Sequence, residues 1–155
     1  MVRTATYDAT SIREVLNRVV DPEIPVLTIE DLGILRRVDI IDDRVRVSIT
    51  PTYSGCPAMR QIEDDVRSAL ADEGINDVDV RMVHFPAWTT DWITEDGHRK
   101  LANFGIAPPT TEIEVVCPRC EASSPNMIAR FGSTACKALM VCSSCGEPFD
   151  YFKEF

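Results

Sequence analysis

The sequence predicts an α+β fold: a small three-stranded sheet with two helices, followed by a β-rich, zinc-ribbon-like tail. Three observations carry this. Val45, Val47 and Ile49 alternate with polar residues, as do Val78, Val80 and Met82, which is the period of half-buried strands. Between those runs, Met59, Ile62, Val66 and Leu70 recur at helical spacing. Two Cys-x-x-Cys pairs, Cys117/Cys120 and Cys142/Cys145, stand beside short β-like stretches near the C-terminus. The expected organisation is an α+β domain over 1–106, a Pro-rich linker over 107–111 and a metal-binding ribbon over 112–155.

Composition narrows the classes. Hydrophobic residues make up 45% of the 155, enough for a packed core. Sixteen basic against 25 acidic residues give a net charge of −9, which repels phosphate backbones and argues against nucleic acid as a partner. The N-terminus lacks a signal-peptide pattern, and no apolar run approaches the ~20 residues a membrane span needs. A cytoplasmic protein is expected, in which six cysteines are thiols and metal ligands rather than disulfides.

The elements follow in order. Ser11 and Glu14 fit a capping box, and Ile12, Val15, Leu16, Val19 and Val20 form one face of a helix that Pro22 ends at Asp21. Asp21-Pro22-Glu23-Ile24-Pro25 is a stiff acidic loop, either a fixed acidic edge beside a site or an ordinary solvated connector. A strand is predicted over 34–41, a hairpin turn at Asp42-Asp43 and a second strand over 44–50. The helix beginning near Pro57 closes at about Gly74, and a third strand starts after Asn76-Asp77.

The turn Thr52-Tyr53-Ser54-Gly55-Cys56-Pro57 joins the second strand to its helix. With Pro57 at the first helical position, Cys56 becomes the N-cap, near unpaired N–H groups and the positive end of the helix dipole. That setting predicts a lowered pKa and a reactive thiolate, a metal or cluster ligand or a nucleophile. A small buried apolar cap is the equal alternative.

Further on, Trp88 and Trp92 fall one helical turn apart. They are expected to cover the sheet of the first domain, with a docking surface as the second option. Thr94 caps a short helix with Leu101 and Phe104 inward, and neither His84 nor His98 has a helical mate for metal binding. A strand over 112–116 then leads into the first cysteine pair. Two tight turns, each aiming two sulfurs at one ion, complete a tetrahedron from Cys117, Cys120, Cys142 and Cys145. Structural zinc is preferred over an iron–sulfur cluster; the spare Cys136 is either a packed apolar residue or an extra ligand. The aromatic run 149–155 is expected to form the last ribbon strand.

Asp21-Pro22-Glu23-Ile24-Pro25, Asp31-Leu32-Gly33 and Thr52–Pro57 resemble the small domain of iron–sulfur cluster assembly factors that includes SufT. With Cys117–Cys120, the run Phe131-Gly132-Ser133-Thr134-Ala135-Cys136-Lys137-Ala138-Leu139 and the segment 147–153, nearly the whole chain resembles the PaaD family, the D components of the bacterial phenylacetyl-CoA ring 1,2-epoxidase. Glu121 departs from the pattern, where a glycine is expected. The resemblance implies a non-catalytic accessory protein of aerobic phenylacetate degradation that helps mature the iron centres of the oxygenase. Its implied partners are the di-iron oxygenase and the flavin and 2Fe–2S reductase. By the same resemblance Cys56 is the functional thiol, transiently holding iron or an iron–sulfur species, with Asp21, Glu23, Thr52, Ser54 and Gly55 lining the site. A stable structural component of the oxygenase complex and a cluster-carrying electron-transfer protein are the alternatives. A thiol enzyme ranks last, because Cys56 has no histidine near it in sequence and no nucleotide-binding loop is visible.

Overall fold

The computed structural model describes residues 6–109, 115–123 and 125–153. The chain divides into two compact units, Met1–Ala87 and Trp88–Phe155. This division falls well before the Pro-rich segment at 107–111, of which residues 110 and 111 lie outside the described residues.

The first unit is built on helix α1 (Ala9–Leu16), strands β1 (Leu35–Ile41) and β2 (Arg44–Ile49), helix α2 (Ala58–Asp72) and strand β3 (Val78–Met82). The sheet order is β1-β2-β3, with β1 antiparallel and β3 parallel to β2. Asp42 and Asp43 turn the β1–β2 hairpin at φ 51° and 63°, the paired positive values of a turn whose twist matches the strands. Val47, Ile49, Ile62 and Leu70 are fully buried between sheet and helix, each contributing roughly 1.5–3 kcal/mol of apolar burial.

Helix α1 differs from expectation at both ends. Asp8, not Ser11, is its N-cap: Asp8 Oδ1 accepts from Ser11 N–H at 2.7 Å, and Ser11 closes the box from position N3. The helix stops at Leu16 rather than Asp21, because Val20 bridges to Thr28 and Ile29 N–H donates to Val19 O. The 21–25 loop therefore hangs from a strand-like pairing instead of a helix end.

The second unit opens with a 3-10 turn at Thr90–Trp92, then α3 (Glu95–Asn103) and a sheet ordered β4-β7-β6-β5, from β4 (Ile106–Ala107), β5 (Asn126–Ala129), β6 (Lys137–Val141) and β7 (Pro148–Phe152). Thr94 caps α3 by accepting from Gly97 N–H at 3.0 Å. Leu101 is buried, but Phe104 is 54% exposed, contrary to its expected inward placement. Trp88 belongs to this unit too, packing on Phe152 with ring centroids 6.1 Å apart. Ala107 is a buried β-strand residue, not linker, pairing in parallel with Tyr151. Of the expected strand over 112–116, residues 112–114 lie outside the described residues; Val116 makes an isolated bridge to Ser123. The expected last strand is β7, and residues 154 and 155 lie outside the described residues.

Candidate thiol site and four-cysteine centre

The first site forms where β2 runs out toward α2. The sheet ends at Ile49, and the chain turns through Gly55, whose φ of 78° a side chain would strain. Cys56 N–H donates to Tyr53 O at 3.2 Å, and Met59 N–H donates to Cys56 O at 3.3 Å. Pro57 takes the cap position and α2 starts at Ala58, so Cys56 lies one residue further from the helix than expected.

That shift matters for the thiol. Burial pushes the Cys56 pKa above its ordinary value of 9.0. The Ala58 N–H and the Thr52 hydroxyl pull the other way, Thr52 Oγ1 lying 3.9 Å from the sulfur, and Glu23 and then Asp21 push it up again. The expected lowering is therefore overturned: the helix end does favour the thiolate, but desolvation and two carboxylates outweigh it. At neutral pH Cys56 is a half-buried, protonated thiol.

Asp21 and Glu23 are thus within electrostatic reach of the sulfur. Asp21 is buried at 6% exposure, and its Oδ1 accepts from Glu23 N–H at 2.7 Å and Ile24 N–H at 3.1 Å, which fixes the acidic loop. Thr52 is buried beside the thiol, whereas Ser54 and Gly55 are exposed in the turn. Thr50, which closes the strand, was not singled out by sequence. Its hydroxyl is buried and has no hydrogen-bond partner among the described residues. A polar residue ending an alternating apolar run was the available signal.

The second site lies in the second unit. Cys117, Cys120, Cys142 and Cys145 bring one sulfur each to within 4.8 Å of all the others. Cys117 and Cys145 sulfurs are 3.9 Å apart and Cys120 and Cys142 sulfurs 3.5 Å. Thiolates on a tetrahedral ion at about 2.3 Å stand about 3.8 Å from one another, so the donor set fits a single metal ion.

The two turns repeat each other. Cys117 N–H donates to Ala122 O and Glu121 N–H to Cys117 O; Cys142 N–H donates to Glu147 O and Gly146 N–H to Cys142 O, all at 2.9–3.0 Å. Glu121 and Gly146 hold the same place, with φ of 63° and 74°. The departure at Glu121 thus leaves the turn geometry intact. Arg119 and Glu147 pair across the turns at 2.5 Å, both well exposed.

Electrostatics invite a cation here. The N–H groups of Cys145 and Ser144 lie 3.4 Å from the Cys142 sulfur and pull its pKa down to about 6. Cys120 has the Ala122 N–H in its favour, yet its thiol neighbours push it up to about 12. The Cys142 thiolate forms readily and that of Cys120 is resisted beside it, until a dication arrives. Cys136 is not one of the four; it is buried, and its sulfur lies 2.9 Å from Thr134 Oγ1.

Comparison with known proteins agrees with both halves. Residues 9–82 match the family model described as iron–sulfur cluster assembly protein, and residues 106–153 match the PaaD zinc beta ribbon domain. A protein of Escherichia coli described as the D component of 1,2-phenylacetyl-CoA epoxidase is 45% identical, over 99% of both chains. The Fe-S protein maturation auxiliary factor YitW of Bacillus subtilis is 41% identical over 49% of this chain and 76% of its own. The crystal structure of a domain of unknown function from Bacillus anthracis superposes with a TM-score of 0.56 at 26% identity, covering 60% of this chain and 90% of that one. The identity to the Escherichia coli protein over nearly the whole of both chains, with these two matched regions, places the chain in the PaaD family, the D components of phenylacetyl-CoA epoxidase.

Proposed function

We propose that this chain is a non-catalytic accessory protein of a phenylacetyl-CoA epoxidase system, assisting assembly of an iron or iron–sulfur centre through Cys56. The observation that carries the reading is a half-buried thiol set against the carboxylates of Asp21 and Glu23, the first of them held by backbone N–H groups, in a domain shared with Fe-S maturation factors. The iron species is cargo. Asp21 and Glu23 attract the incoming cation; the thiol gives up its proton as the sulfur bonds, and protonation of that sulfur favours release. A thiol held neutral until its cargo arrives also resists stray oxidation and alkylation. The partners in this reading are the oxygenase and reductase components, in the cytoplasm.

In the ribbon, we propose a structural zinc held by Cys117, Cys120, Cys142 and Cys145. Sulfurs within 4.8 Å of one another favour a single ion over the several irons and sulfides of a cluster. Zinc bound there supplies fold stability to a small sheet.

Cys56→Ser tests the first proposal. Cells carrying it should make epoxidase polypeptides at normal levels but with iron content and activity lowered about tenfold or more. Unchanged activity removes Cys56 from the mechanism. Co-purification of this chain at fixed stoichiometry with active oxygenase would favour a stable structural role instead.

A further inference from the structure

β3 is an edge of the first sheet: among the described residues its strand neighbour is β2. Two hydrogen bonds fix which way its peptide groups face. Val45 N–H donates to Asp77 O and Val83 N–H donates to Ile49 O, so residues 77 and 83 face β2. Alternation puts Asp79 and Arg81 on that side too, and turns the N–H and C=O groups of Val78, Val80 and Met82 outward. Beyond them Phe85 is 88% exposed.

The side chains along this edge are complementary to themselves. When a second β3 lies antiparallel about a two-fold axis at Val80, Val80 opposes Val80, Val78 opposes Met82 and Asp79 opposes Arg81. The outward-facing residues then fall in hydrogen-bonded pairs. Asp79 and Arg81 fall in the narrow pairs between them, where facing side chains interact most. Slipping the strands to the neighbouring hydrogen-bonding registers places Arg81 against Arg81, or Asp79 against Asp79, so charge selects one alignment. The row Asp39, Arg46, Asp79 across the sheet continues into Arg81 of the second copy with alternating sign.

We propose that two copies of this chain join edge to edge through β3 in that antiparallel register, making one continuous sheet. The occupant is a second copy because the edge matches its own sequence in both charge and apolar side chains.

Charge reversal tests it in the full-length protein, by sedimentation velocity. Wild type should dimerise with concentration. Asp79→Arg and Arg81→Asp each set like charges opposite one another, and each should raise the dimer dissociation constant about tenfold or more. An equal mixture of the two variants should restore the dimer, since each arginine then meets an aspartate; restoration also shows that both variants fold. Val80→Pro, which removes an outward N–H and spares the β2 ladder, should weaken association as well. A wild type that stays monomeric up to roughly 1 mM, a dimer indifferent to these changes, or a mixture that stays apart would overturn the proposal.

Discussion

Cys56 shows how small displacements decide chemistry at the scale of one residue. One step back from the helix, and half out of water, its sulfur loses to burial what the Ala58 N–H offers it. Its reaction with iodoacetamide should therefore be slower at pH 7 than that of free cysteine. The rate should keep rising as pH passes 9, because a raised pKa delays the thiolate. Glu23→Gln removes a repelling charge and should speed labelling, which peptide mass mapping at fixed times would measure. The paired turns of the ribbon allow a second residue-level prediction. Gly146 holds φ 74° with open space where a Cβ would go, so Gly146→Ala meets strain alone and should cost roughly 1 kcal/mol. Glu121→Gly, at the matching place, should change stability in the opposite direction, as read from denaturant midpoints of the metal-loaded protein.

At the scale of elements, α2 illustrates what a sequence makes legible. Met59, Ile62, Val66 and Leu70 announce its buried face, and all four are buried. Ile62→Ala should destabilise the first unit by roughly 2–5 kcal/mol, seen as an earlier unfolding transition with metal content unchanged. The strands and the cysteine turns were readable for the same reason: their signals lie in short windows with a fixed period or spacing. What failed depended on competition or distance. Asp8 and Ser11 can each cap a helix, and tertiary pairing at Val20 and Ile29, not local propensity, chose where α1 ends. Trp88 found Phe152, a partner no local window contains. The resemblance grouped Cys56 with Asp21 and Glu23, and both carboxylates do act on the sulfur, but its charge state was not legible. Desolvation is a property of everything packed around a sulfur, and spacing does not report it.

At the scale of the whole molecule, metal should separate the two units. Removing the bound metal with a chelator should abolish the ordered signal of the ribbon sheet while the first unit keeps its unfolding transition, which calorimetry on the full chain would resolve as two events becoming one. Finally, β4 lies before the proline-rich segment yet pairs with β7, and Trp88 stands earlier still against Phe152. An excised tail beginning at residue 112 would keep every ligand cysteine but strip the hydrogen-bonding partner from one border of β7 and uncover an aromatic ring. Such a fragment should bind zinc and still precipitate, whereas one beginning at residue 88 should remain in solution.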